Sequence, residues 1–140
     1  MGVSFKQGSS LELRNPPRLT ELASRTQVSF YFNVTKTEVN AEDTAFLFYL
    51  GNEENTHNKM PFISTDDYMA VEIISGGYVK LTIDFGTGQP FEIRSNAPIK
   101  YNQWHQLVID RRGHYVTLTV RSEESGVVNE DKVCFKYIPG

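Results

Sequence analysis

The sequence predicts an all-β fold, an antiparallel two-sheet β-sandwich of the jelly-roll type, built as a single domain over residues 1–140. Apolar residues recur with a period of two in most segments. Strand-like segments follow one another at spacings of roughly ten residues, and several are separated by glycine-containing turns. The chain of 140 residues is long enough for one core but too short for two of ordinary size.

The first strands are predicted from their alternation. Over residues 27–35 polar side chains alternate with apolar ones, which would form one buried face: Val28, Phe30, Phe32 and Val34. The segment 45–50 is apolar throughout, which predicts a strand covered on both faces. Only residues 19–24 have a pattern that would suit a helical turn.

A hairpin is the strongest local prediction. Two strand-like runs, 68–74 and 78–85, flank Ser75-Gly76-Gly77, where glycine can adopt the positive φ of a tight turn. Counting outward from this turn, Ile74 faces Tyr78 and Asp67 lies opposite Phe85. A turn at residues 86–88 then leads to a short strand at 91–94.

A second hairpin follows, with strands at 104–110 and 115–120 on either side of the polar turn 111–113. The polar segments 37–43, 52–65 and 122–131 are predicted to be surface loops. The predicted sandwich core contains residues of six of these strands: Phe30, Phe32, Phe46, Phe48, Val71, Leu81, Trp104, Leu107 and Leu118.

The charge and the hydropathy exclude several classes of protein. The net charge of −3 creates no overall positive field, so nucleic acid is not an expected partner. No apolar run reaches the roughly 20 residues of a membrane-spanning helix, and the N-terminus lacks a signal-peptide pattern. The one cysteine, Cys134, has no partner within the chain; we expect it to be a buried small hydrophobe, with pairing to another segment as the alternative.

Several motifs, taken together and in order, resemble the laminin G-like family. They are AFLFYLG at 45–51, DYMAVEI at 67–73, GYVKL at 77–81, DFGTG at 84–88, YNQWH at 101–105, and RRG at 111–113 before VTLTV at 116–120. The opening FKQGSSLEL at 5–13 resembles the family's first strands. The resemblance covers about residues 3–121, and within the family it is most similar to laminin α chains, with neurexin, agrin and perlecan domains as alternatives.

The resemblance implies a sandwich related to the concanavalin-like jelly rolls. It also shows where this chain departs from the family, at its C-terminal end. The family's glycine-rich final strand and closing cysteine segment have no counterpart before Gly140. The C-terminal strands are therefore expected to be missing, which would leave a sheet edge for a complementary C-terminal segment or a neighbouring domain to cover.

The function implied by the resemblance is that of a secreted extracellular-matrix and cell-adhesion module. Such domains recognise cell-surface receptors of the integrin or dystroglycan type, or sulfated glycans, through rim loops. The family often holds one Ca²⁺ at the rim with acidic side chains and backbone carbonyls. The matching positions here are Asp67 and the carbonyl of Phe85, which alone are too few for tight binding.

Two further sites are predicted from the residues. Asn33-Val34-Thr35 is an N-glycosylation sequon on the polar face of the first strand. A basic surface near the second hairpin would suit a sulfated glycan, with a solvated turn as the alternative: Lys100, Arg111, Arg112 and His114.

No catalytic site is expected. His57, His105 and His114 do not have the spacing of metal ligands, and no nucleophile elbow, phosphate loop or paired-acid motif occurs. The alternative to an adhesion module is a lectin-like binder of carbohydrate or another small ligand, which would use Trp104 as a stacking platform.

Overall fold

The computed structural model describes residues 25–35, 44–51 and 68–138, which form eight β-strands. In chain order the strands are β1 Arg25–Asn33, β2 Ala45–Leu50, β3 Tyr68–Ile73, β4 Val79–Asp84, β5 Phe91–Arg94, β6 Trp104–Arg112, β7 Tyr115–Glu124 and β8 Val127–Lys136. The predicted helical turn at 19–24 and the predicted loops at 37–43 and 52–65 lie outside these residues.

The strands form two antiparallel four-stranded sheets. Sheet A has the order β1-β6-β7-β8, and sheet B has the order β2-β3-β4-β5. One hydrophobic cluster contains buried residues of both sheets, such as Leu107 of β6 and Leu81 of β4. The predicted all-β sandwich is therefore confirmed. Within the described residues there is no long apolar helix of the kind that crosses a membrane.

The core lies between the inner faces of the two sheets. Of the predicted core residues, Phe32, Val71, Leu81, Leu107 and Leu118 are buried, whereas Phe30 and Phe48 are partly buried and pack against the cluster. The side chains that are completely inaccessible include Met69, Ile83 and Ile109. Each alternates along its strand with a more exposed residue, as the pleat requires.

Two core predictions were wrong. Trp104 is 58% exposed and Phe46 is 74% exposed. Trp104 and Leu107 are three positions apart on β6, so the pleat directs them to opposite faces, and Leu107 is the buried one. In β2 the pairing register shifts between Phe46 and Phe48, and of these two residues Phe48 packs against the core whereas Phe46 does not.

β2 is also less covered than its apolar sequence predicted. It lies at the edge of sheet B, and Tyr49 is exposed together with Phe46. Tyr49 stacks on Tyr68 of β3 with ring centroids 6.0 Å apart. An apolar run alone therefore did not distinguish a central strand from an edge strand.

Both predicted hairpins are present. In the β3–β4 turn, Gly77 N donates to Ile74 O at 2.9 Å, and Gly76 and Gly77 have φ of 88° and 87°. In the β6–β7 turn, Gly113 has a φ of 59°. Positive φ at these positions is readily available to glycine, which is why the sequence marked the turns correctly.

The segment 122–131 is not the loop that its polar composition suggested. β7 continues to Glu124, and β8 begins at Val127 after a two-residue turn in which Ser125 and Gly126 both have positive φ. This is the backbone preference of a tight β-hairpin. Cys134 lies on the outward face of β8 and is exposed, so the prediction of a buried cysteine was wrong.

Candidate functional site

The rim of the sandwich at the end of β4 is the first candidate region. β3 and β4 pair with Tyr68 opposite Asp84 and Ile73 opposite Val79, which is the register predicted from the turn. Phe85 follows directly after β4. Asp67, the predicted first calcium ligand, immediately precedes Tyr68 but lies outside the described residues.

The turn after Phe85 is organised by Asp84, a residue that the sequence analysis did not single out. Asp84 is 2% exposed, and its Oδ1 accepts backbone hydrogen bonds from Gly86, Thr87 and Gly88 at 2.8, 3.0 and 3.3 Å. Aspartate before a glycine-rich turn is a common signal for this arrangement. The carboxylate therefore fixes the backbone that follows Phe85.

The ring of Phe85 is the centre of an aromatic group that we call the Phe85 cluster. Its members come from both sheets or from residues next to their strands: Phe85, Phe91, Arg111, His114 and Tyr137. Tyr137 stacks on Phe85 at 5.1 Å between centroids, and the Arg111 guanidinium carbon lies 4.7 Å from the same centroid. Each such contact contributes about 0.5–2 kcal/mol of stability beyond the contribution of burying the apolar surface.

The side chain of Phe85 therefore has a structural role, and only its carbonyl would serve a cation. The Asp84 Oδ1 beside it is directed at backbone amides. Among residues 25–35, 44–51 and 68–138, no group of three or more His, Cys, Asp or Glu is placed to hold a metal ion. Calcium binding through Asp67 and Phe85 stays a prediction.

The predicted basic residues do not form one surface. Arg111 is 6% exposed and directs its side chain inward, where Nε donates to Gly113 O at 3.1 Å. Arg112 lies on the outer face, with Nε 3.6 Å from Asp110 Oδ2. His114 is exposed but places its ring edgewise against Phe85 and Tyr137.

Lys100 lies at the other end of sheet A. It precedes β6, whereas Arg111 and Arg112 end that strand, and nine residues of strand separate the two ends by about 26 Å. Lys100 is paired with Glu124 at the end of β7. The structure therefore does not bring Lys100 together with the other three residues.

A different basic surface crosses the same end of sheet A as Arg112. Strand pairing puts Arg25 opposite Arg112, Arg112 opposite Tyr115, and Tyr115 opposite Lys136. All four residues are exposed, and Lys136 Nζ lies 5.8 Å from the Tyr115 ring centroid. We call Arg25, Arg112, Tyr115 and Lys136 the basic row; it spans about 14 Å across four strands.

At the end of sheet A opposite the basic row, the outer face carries aromatic residues and the glycosylation sequon. Asn33, the residue of the sequon, ends β1 and lies opposite Trp104 on β6. Tyr31, two residues earlier on the same face, is 67% exposed. We call Asn33, Tyr31 and Trp104 the Asn33 patch. Trp104, which was assigned to the core from sequence, belongs to this surface.

A buried histidine supports the loop beside the Asn33 patch. His105 Nδ1 lies 3.0 Å from Gln103 O, and His105 Nε2 accepts a hydrogen bond from Lys100 N at 3.4 Å. Burial lowers the pKa of His105 from its usual value of 6.5, more than the Gln103 carbonyl raises it, so the neutral ring is favoured. Asn102 N in the same loop donates to Val34 O at 2.8 Å.

The chain is similar in sequence to a laminin subunit and matches the model of a laminin domain family. The family model described as "Laminin G domain" matches residues 38–135. A laminin subunit alpha of Drosophila melanogaster is 42% identical over 123 residues, which cover 88% of this chain and 3% of that protein. The chain thus spans a small fraction of this relative.

The fold is similar to that of a solved laminin structure. The crystal structure of the LG1-3 region of the laminin alpha2 chain has a TM-score of 0.64 at 20% identity, covering 91% of this chain and 20% of that one. At this identity the likeness concerns the fold alone. The family match spans well over half of the sequence and agrees with the motifs at 45–51, 67–73 and 101–105. The chain belongs to the laminin G domain family.

Proposed function

We propose that this domain is a non-catalytic adhesion module of a secreted extracellular-matrix protein, and that it binds an anionic glycan on a cell surface through the basic row. The similarity to a laminin α subunit supports the extracellular setting. The partner would be a sulfated glycan or the glycan of a dystroglycan-type receptor; an integrin-type receptor would use the rim loops instead.

The observation that carries this proposal is the alignment of Arg25, Arg112 and Lys136 across adjacent strands of sheet A. Neighbouring strands are about 4.8 Å apart, so cations on one face can contact successive anionic groups of an extended chain. The only carboxylate paired with a member of the row, in the described part of the chain, is Asp110.

The rest of this outer face offers less free positive charge. Arg121 Nε lies 2.7 Å from Glu130 Oε2, and Lys100 is paired with Glu124. These ion pairs neutralise positive charge toward the Trp104 end of the sheet, whereas the basic row concentrates charge at the other end and the exposed Lys132 of β8 adds one cation between them. The local field therefore favours an anion there despite the net charge of −3.

The basic row is tested by heparin binding at low ionic strength. Each exposed ion contact contributes about 0.2–1 kcal/mol, so we expect the double variant Arg112→Gln/Lys136→Gln to bind roughly 2- to 30-fold more weakly. Its affinity should also depend less steeply on salt. Titration calorimetry or surface plasmon resonance measures both quantities.

Lys100→Gln is the matched control, because it removes one exposed cation from the other end of the same sheet. We expect it to change heparin affinity less than twofold, within the range of a single distant surface charge. Equal losses in Lys100→Gln and in the double variant would contradict binding at the basic row and would indicate attraction by overall charge.

We propose in addition that Asp67 and the Phe85 carbonyl contribute to a weak calcium site at the rim. Continued by one residue beyond Tyr68, the register of β3 and β4 would pair these two positions. Two protein oxygens are far fewer than the six to eight ligands that Ca²⁺ takes, so water would complete the shell.

Calcium affinity is expected to be on the order of millimolar or weaker in this chain, and Asp67→Ala is expected to abolish it. Calorimetric titration with Ca²⁺ measures both, and Asp66→Ala is the matched control because it removes a neighbouring carboxylate. Micromolar affinity, or an affinity that Asp67→Ala leaves unchanged, would contradict this assignment.

A lectin-like function is the second candidate, and the exposure of Trp104 and Tyr31 favours it. Flat aromatic rings on a sheet surface suit the apolar face of a neutral sugar. A glycan array probed with and without a calcium chelator distinguishes the two functions. Neutral oligosaccharides would bind at the Asn33 patch, whereas sulfated ones would bind at the basic row.

A further inference from the structure

We propose that Asn33 carries an N-linked glycan whose first sugars pack on Trp104 and Tyr31, so that the glycan covers the aromatic surface of the Asn33 patch. The inference rests on the proposed secretion of the protein, because the modification requires it, but not on ligand binding at the basic row. Three features of the structure support it.

The first feature is the placement of the sequon. Asn33 is exposed at the end of β1, where the side-chain amide is accessible, and Thr35 supplies the hydroxyl residue that the sequon requires. Val34 between them is held by the hydrogen bond from Asn102 N. A glycan on Asn33 would therefore leave from a fixed position on the outer face of sheet A.

The second feature is the distance to the aromatic rings. Asn33 and Trp104 are directly opposite in the β1–β6 register, so their Cβ atoms are about 4.5–5.5 Å apart on one face. Tyr31 is two residues from Asn33, or about 7 Å along the same strand face. The first sugar linked to Asn33 would thus lie within reach of both rings.

The third feature is the exposure of those rings. Trp104 is 58% exposed and Tyr31 is 67% exposed, although both are large and partly apolar. Contiguous exposed apolar surface on a folded domain commonly marks an interaction site. The C–H face of a sugar is a suitable partner for such rings, and the sequon places one within reach.

The modification itself is a glycosyl transfer. Asn33 Nδ2 attacks the anomeric carbon of a lipid pyrophosphate-linked oligosaccharide, so that a C–N bond forms and the C–O bond to the pyrophosphate breaks. The proton lost from the amide passes by way of the transferase base to solvent, and the lipid pyrophosphate leaves with the electrons of the broken bond. The new N-glycosidic linkage is uncharged, so the modification changes the charge of the protein only where the attached sugars are themselves charged.

The test uses the fact that Trp104 is the single tryptophan of the chain. The protein secreted from a eukaryotic host is compared with Asn33→Gln by mass, by endoglycosidase treatment and by acrylamide quenching of tryptophan fluorescence. We expect a mass increase only in the wild type, and a quenching constant that is roughly halved because sugar covers one face of the indole. A shift of the emission maximum to shorter wavelength should accompany it.

Two controls separate glycan packing from a change in the fold. Thr35→Ala keeps Asn33 but removes the sequon, and it should behave as Asn33→Gln does. Trimming the wild-type glycan to its first sugar should preserve most of the protection, because that sugar is the one nearest Trp104. An unmodified Asn33 in the secreted protein would overturn the proposal, and so would equal quenching in modified and unmodified chains.

A negative result in this test would not contradict the proposed glycan binding at the basic row, because the two sites are separate. The basic row lies at the far end of the same face, about 26 Å from Trp104 along β6. Heparin affinity is therefore expected to be the same in wild type and Asn33→Gln when both are measured at equal salt.

Discussion

Leu118→Ala is expected to lower the free energy of unfolding by about 2–5 kcal/mol, because it removes a completely buried side chain from the core. Leu118 lies on β7 in the interior of sheet A, flanked by Ile109 on β6 and Val133 on β8. The cavity has little freedom to collapse between two paired neighbours. Urea denaturation followed by circular dichroism measures the change.

Trp104→Ala is the informative control. The sequence alone predicted a large loss at Trp104, whereas its exposure in the structure predicts a change within about 1 kcal/mol in the unglycosylated chain. A loss at Trp104 comparable to that at Leu118 would contradict the assignment of Trp104 to the outer face. An unchanged midpoint for Leu118→Ala would contradict the core itself.

Asp84→Ala is expected to cost about 2–3 kcal/mol, since the buried carboxylate is the shared acceptor of three backbone amides. Without it, the amides of Gly86, Thr87 and Gly88 lose their partner and the turn loses its fixed geometry. Amide hydrogen exchange should accelerate selectively at these three residues. Denaturant unfolding gives the overall cost.

Asp84→Asn is the matched variant, because its amide oxygen can accept the same hydrogen bonds without the negative charge. We expect it to lose about half as much stability as Asp84→Ala, since charge-assisted hydrogen bonds are roughly twice as strong as neutral ones. Unchanged exchange at residues 86–88 in Asp84→Ala would show that the carboxylate does not organise the turn.

The local structure was predictable wherever the backbone demands a particular residue. Glycines at positions 76, 77 and 113 marked the two predicted hairpins, and the β3–β4 register followed from the first of them. The two-residue Ser125-Gly126 turn carries a similar signal. It was overlooked because the polar residues around it were interpreted as a loop, although they belong to the exposed ends of β7 and β8.

The faces of the strands were harder to predict. A period of two establishes which residues share a face, but it does not decide which face is buried. Trp104 and Leu107 were both assigned to the core, because Trp104 precedes an apolar run, although their positions differ by an odd number. The register shift in β2 had no visible counterpart in the sequence.

The surfaces that carry the proposals depend on strand order, which is why the sequence did not indicate them. Arg25 and Lys136 meet Arg112 and Tyr115 only because β1, β6, β7 and β8 are neighbours in sheet A. The basic surface predicted from sequence consisted of cations that are near one another along the chain. It therefore included Lys100, which lies at the other end of the sheet, and omitted the two residues at the ends of the row.

The order of strands in sheet A also has a consequence for how the chain folds as it is synthesised. Sheet B pairs strands that are consecutive in the chain, whereas β1 pairs with β6, whose contacting residues Ser29 and Gln106 are 77 positions apart. Such long-range pairing closes a large loop and slows folding. β1 must wait for β6 to leave the ribosome, and in a secreted protein its sequon would remain unpaired during that interval and open to the enzymes of the translocation site.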